Sequence, residues 1–156
     1  MAIVLVDGNT TAVWVPVIAD TTAPTTVEID AGEQLQAFLT QDGLDIAQDQ
    51  AMIDVSVLNS LSELADFGRS KVDTTLSMFR KDVDTAWDEF ADQPYGFLVV
   101  RRGVDNTTAF AAAQVVEVYP SRASTRFQTK PASNEAEQFT VKLALTDDYQ
   151  VAAIVA

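Results

Sequence analysis

The side chains that could carry covalent or metal chemistry are few in this sequence. There is no His and no Cys, which removes the commonest general base, the thiol nucleophiles, thiolate metal sites and any disulfide framework. A Ser or Thr nucleophile would then need a Lys base. Neither Ser70-Lys71 nor an S-x-x-K spacing supplies one, and Ser124, Arg126 and Lys130 fall in a polar stretch with nothing to orient them. Asp82, Asp84 and Asp88 echo a calcium loop, yet no Gly stands at its sixth position and Gln93 occupies the place of the bidentate Glu. Helix capping is the better reading there. Asp42, Asp45 and Asp49 lack the Asp-x-Asp-x-Asp-Gly pattern, and Asp147-Asp148, adjacent in the chain, suit a turn better than a glycosidase pair. The six glycines are scattered singly, so no phosphate-cradling loop is present. These residues point away from an enzyme and from any cofactor or metal.

Charge narrows the partners. The net charge is −13, and residues 1–68 hold eleven Asp/Glu with no Lys or Arg, against twelve acids and ten bases in the remaining 88 residues. Such a chain repels phosphates, which excludes an ordinary nucleic-acid binder. Its 156 residues, 47% apolar and 21% charged, suit a single domain over 1–156 that buries roughly 70% of the surface of its unfolded form. MAIVLVDG has no basic n-region and reads as a flexible tail over 1–10, not a signal peptide. The run AVWVPVIA is too short to cross a bilayer and is broken by Pro16, so no membrane partner is expected.

Whatever the chain does must therefore be carried by its elements. Residues 71–103 read as strand, helix, strand. In the middle piece Val83, Ala86, Trp87 and Phe90 fall at i, i+3, i+4 and i+7, a stripe predicted to bury against a sheet, with Asp82 as the expected N-cap. This is the one helix the pattern predicts. TAVWVPVI (11–18) is apolar on both faces, and Thr26–Asp30 alternates with Val27 and Ile29 inward, so both are expected as strands. Residues 44–70 are a long excursion, with a strand at Ile53, Val55 and Val57 and a helical turn suggested by Leu58, Leu61 and Leu64. Thr108–Tyr119 is expected as one long strand and 120–136 as a polar loop. Glu137–Leu145 and Tyr149–Val155 are expected to pair as a terminal hairpin. The sum is a mainly β fold, a β-sandwich or small barrel of seven or eight strands with a single flanking α-helix.

The order of these parts resembles the major tail tube proteins of long-tailed, non-contractile bacteriophages. The resemblance rests on KVDTTLSMFR, the helix DTAWDEFA, GFLVVRRG, the strand ending VVEVYP and the closing EQFTVKLALTDDYQVAAIVA. It implies a tail-tube-like fold assembling as hexameric rings of identical copies, stacked into the virion tail as a conduit for DNA that passes without specific binding. Assembly in the host cytoplasm and tape measure and tail terminator proteins as partners follow by the same analogy. In that setting Asp73, Thr75 and Ser77, which alternate with Val72, Leu76 and Met78, are the expected lumen-facing residues, on a wall that must not hold phosphate. Ile53, Val55, Leu58, Leu61 and Leu64 of the excursion are the expected inter-ring contact. The uncharged end of the chain, Val151, Ala153, Ile154 and Val155, is the expected inter-subunit strand. Val83, Trp87 and Phe90 are the expected helix–sheet core. A head decoration or tail-completion protein, or a monomeric ligand-binding β-sandwich, would share the β texture.

Overall fold

The structure, a computed structural model, describes residues 2–156. It contains nine strands and two short helices: β1 (Thr10–Val15), α1 (Thr26–Asp30), β2 (Glu33–Gln34), β3 (Leu39–Asp54), β4 (Ala65–Phe79), α2 (Thr85–Glu89), β5 (Tyr95–Arg102), β6 (Val115–Ala123), β7 (Phe127–Gln128), β8 (Gln138–Leu145) and β9 (Gln150–Ile154). All pairings are antiparallel and join the strands into one sheet in the order β2-β1-β5-β6-β8-β4-β3, with β7 beside β8 and β9 beside β6.

Side-chain alternation explains why this sheet must curl. In β1, β5 and β6, residues Trp14, Leu98, Val100 and Tyr119 point to one cluster, and Val13, Val15, Val99 and Val118 to a second on the opposite face. Burial on both faces is why TAVWV and FLVV read as unbroken apolar runs. In β4 and β8 only one face is apolar, and its Leu76, Met78, Phe139, Val141 and Leu143 join the first cluster. One cluster fed from both ends of the strand order requires the sheet to wrap around it. Helix α2 closes the wrap, with Phe90 against Trp14 (ring centroids 5.2 Å apart) and Trp87 edge-on to Phe139 (5.1 Å). Gly96 of β5 sits beneath the Trp14 indole, where a Cβ would lie 2.7 Å from the ring, so this close approach needs glycine.

Four expectations are corrected. Thr26–Asp30 is a helix: the Thr25 hydroxyl accepts from Glu28 N (3.2 Å), and the Glu28 carboxylate accepts from Thr25 N (2.9 Å) and Ala19 N (3.1 Å). This capping box overrides a five-residue alternation too short to fix a strand. Ile29 is buried against the second cluster, while Val27 is exposed.

In α2 the N-cap is Asp84, not Asp82; its carboxylate accepts from Trp87 N (3.2 Å) and from Arg80 Nε (2.6 Å). Starting the helix two residues later leaves Val83 outside it and 77% exposed, so Val83 is not part of the helix–sheet core. Ala86 and Phe90 are fully buried, and Trp87 is half-buried between Arg80 and Arg126, whose guanidinium carbons lie 3.9 and 4.0 Å from its ring.

Strand β6 starts at Val115, not Thr108. The segment before it wraps the buried Arg101 guanidinium, which donates to the carbonyls of Thr108 (2.7 Å), Ala109 (3.2 Å) and Asp105 (3.2 Å) and to Gln114 Oε1 (3.1 Å). Ala113, at φ 68°, turns the chain into β6. Beyond the expected stop the strand continues through Pro120 to Ala123.

Finally, β8 and β9 do not form a hairpin. Both pair with the same edge of β6, β8 along 121–123 and β9 along 115–118, so Asp147-Asp148 bends one line of chain instead of reversing it. Pro120 lies at the changeover, facing Thr146, whose amide donates to its carbonyl (2.9 Å). A residue without an N–H is tolerated there because no ladder bond is due.

Candidate assembly surfaces

The outward side of the sheet is divided. Helix α1, Ile18 and Phe110 cover the half built by β1, β5, β6 and β9. The half built by β3, β4 and β8 is bare. Cross-strand register places Asp49 beside Lys71, Ala47 beside Asp73, Asp73 beside Ala144, Ala144 beside Arg122, Asp45 beside Thr75, Thr75 beside Lys142, and Ser77 beside Thr140. Asp73, Thr75 and Ser77 thus share this face, as their alternation required. Asp73 is exposed and held by Lys71 Nζ (3.0 Å), and Thr75 and Ser77 are half-buried.

The charge on this face differs from that of the chain. Asp45, Asp49 and Asp73 are matched by Lys71, Arg122 and Lys142, whereas the chain holds 23 acids and ten bases. The excess negative charge lies elsewhere, on the α1 side, on α2 and on the excursion. The sequence pattern places Arg122 in the polar loop expected over 120–136, whereas it lies in β6, and Lys142 in the strand Glu137–Leu145. The signal that unites them is strand pairing, which is not local.

The excursion is not irregular. Residues 39–79 form one long antiparallel arm that continues past the core, beyond the Gln48–Val72 pair, to Asp54 opposite Ala65. Its tip, residues 55–64, contains turns and no helix, so Leu58, Leu61 and Leu64 are not a helical stripe. Ile53, Val55 and Leu64 are exposed, as are Met52, Val57 and Phe67, and Leu58 and Leu61 have their side chains wholly in water. Residues 51–68 carry Asp54, Glu63 and Asp66 and no base. At the arm's root the Tyr119 hydroxyl donates to Glu117 (3.0 Å) and accepts from Gln48 (3.2 Å), while the Tyr149 hydroxyl bonds Ser70 (3.1 Å). Burial, then the adjacent Glu117 carboxylate, push the Tyr119 phenol well above its usual range, so it stays neutral and keeps its proton for Glu117.

Strand edges are the other assembly feature. Among the described residues no strand pairs with the outer edge of β3 or of β7. The β3 edge carries Asp42, Asp45, Asp49 and Asp54; β7 is flanked by Arg126 and Lys130. The expected inter-subunit strand is different. Ala153 and Val155 are buried in the second cluster, and the amides of Ile154 and Ala156 already donate to Thr22 (3.1 Å) and Pro24 (2.9 Å). Only Val151 and Ile154 of that group remain exposed. Ahead of β1, Ile3, Val4, Leu5 and Val6 are all exposed, and the chain is first tied to the body where the Gly8 carbonyl accepts from Asn106 N (2.8 Å).

No three His, Cys, Asp or Glu side chains gather as a metal site among the described residues. The features that stand out among the described residues are exposed surfaces and unpaired strand edges. The family model described as phage tail tube protein matches residues 1–156, and the chain belongs to that family. It is a structural protein of a tail. No curated protein matches. Among solved structures, the chain is similar in fold to one in the baseplate of the anti-feeding prophage (TM-score 0.55, 10% identity, covering 96% of each chain). It is likewise similar to one in the sheath/tube terminator of an extracellular contractile injection system in its extended state (0.54, 14%, 91% of each). A third is in the tube-terminating cap of the anti-feeding prophage (0.52, 15%, 97% of this chain and 94% of that one).

Proposed function

We propose that this chain closes into rings of identical copies, six by family analogy, which stack as a tail tube through which DNA leaves the virion. The observation that carries the reading is a bare half-sheet with an unpaired acidic edge at β3 on one side and, on the other, the short basic-flanked β7, whose outer edge is also unpaired. Joining unlike edges is a heterologous contact, and repeated with rotation it closes into a ring. Main-chain bonds supply adhesion and the charge pairing supplies register. In such a ring the bare faces carrying Asp73, Thr75 and Ser77 become the inner wall. The arm, with its exposed apolar tip, reaches a copy in the next ring. Tape measure and terminator proteins then meet the ends of the stack.

The test is to purify the chain and image it by negative stain, beside a variant with Gln128→Pro, which removes an edge donor without touching the core. Tubes from the parent and their loss in the variant support the reading. A parent that stays monomeric at high concentration, or a variant with normal tubes, overturns it. A terminator or completion role is the second reading, favoured by the fold likeness to the terminator and cap structures. It predicts single rings that never lengthen.

A further inference from the structure

Of the three bases on the bare face, Lys71 is paired with Asp73. Arg122 and Lys142 make no ion pair among the described residues, although acids outnumber bases in the chain by more than two to one. They are also neighbours. Arg122 is opposite Ala144, and Lys142 is two residues back along the same strand, a diagonal separation of about 7 Å that long side chains bridge. Both line one open pocket of about 290 Å³ between β8 and the end of β6, together with Ser124, Gln93 and Asp73. Its one acid is already engaged by Lys71. The Arg122 guanidinium is held over the Tyr95 ring (4.8 Å) with Nε directed to the Gln93 carbonyl (3.4 Å), which leaves its terminal nitrogens available.

We infer that this pocket is a weak oxyanion notch for the phosphodiester oxygens of a passing nucleic acid, with Arg122 and Lys142 as its two cations. The inference rests on the bare face being the inner wall. The notch lies on that face at its β6 margin, away from the β3 edge and the arm tip, and on that reading it opens toward what passes. Two cations per copy, set among acids, give a contact that forms and breaks readily, unlike the continuous basic track of a nucleic-acid binder. The wall is then balanced, not simply repulsive.

The experiment measures fluorescence anisotropy of a short labelled DNA duplex with the full chain at low salt. It compares the parent with R122Q/K142Q and with the off-notch control R69Q/K130Q. Each substituted side chain is exposed, and thermal unfolding of each variant verifies that the fold is kept. The expected result is weak, salt-sensitive binding that falls about tenfold in R122Q/K142Q, its salt slope dropping by about 2, with the control much closer to the parent. Equal losses in both variants, or no loss in R122Q/K142Q, overturn the notch. So does a result in which the duplex is ignored but a peptide of residues 51–68 binds and is lost in R122Q/K142Q, because the pocket would then receive another copy's acidic arm. Imaging the same preparations separates this failure from failure of the tube: loss of notch binding in protein that still forms tubes leaves the assembly reading standing.

Discussion

Arg101 organises more backbone than any other single side chain among the described residues. Its guanidinium is wholly buried, satisfies three carbonyls of the 103–114 segment and stacks on Phe110 at 4.3 Å. Burial lowers its proton affinity, but a guanidinium remains charged far above neutral pH. Arg101→Met would fill the space and leave those carbonyls without a donor. The expected loss is roughly 2–4 kcal/mol, read as a lower urea midpoint at unchanged m-value. A loss under about 0.5 kcal/mol would mean that the loop holds itself. In the sequence this residue was one of two arginines after an apolar run. That it faces inward follows from β5 being buried on both sides, which alternation alone does not reveal.

At the level of elements, the arm leaves a group of large apolar side chains in water. Met52 sits opposite Phe67 with both exposed, and Leu58 and Leu61 touch nothing that shields them. Burying such side chains contributes about 1.5–3 kcal/mol each, so Leu58→Asp with Leu61→Asp should leave the monomer's melting temperature unchanged and weaken stacking by more than tenfold in sedimentation. A double variant that stacks normally would remove the arm tip from the contact. The apolar content of 44–70 was visible in the sequence. Its form was not, because a two-stranded arm is specified by pairing across 16- and 15-residue strands, and the Leu spacing of three suggested a turn of helix instead. The two helices repeat this point on a smaller scale. Asp84 and Thr25 caps, each a few bonds long, decided where helix began, and in α1 whether there was helix at all.

For the whole molecule the charge sets the response to acid. Thr25 and Ala19 amides on Glu28, Thr22 on Asp20, and Thr107 on Asp105, hold these carboxyls below their usual range. A depressed folded value means that the ionised form is favoured by folding, so this stability is present above the ordinary carboxylate range and is lost as pH falls through the folded values. Melting temperature should therefore fall as pH drops below about 4, and E28Q should be less stable than the parent at neutral pH yet show a shallower acid loss. An equally steep loss in E28Q would detach the capping box from acid sensitivity. The sequence by itself determined the mainly β class, the polar character of one β4 face, the absence of His and Cys and the acidic balance, since each depends on residue type or on a period of two within one strand. Only the tertiary structure decided that β9 runs along β6 and does not fold back on β8, that the outer edges of β3 and β7 are left unpaired, and that Arg122 and Lys142 line one pocket. Those outcomes rest on register between segments far apart in sequence, where many pairings satisfy the same alternation and the choice falls to packing of the shared core.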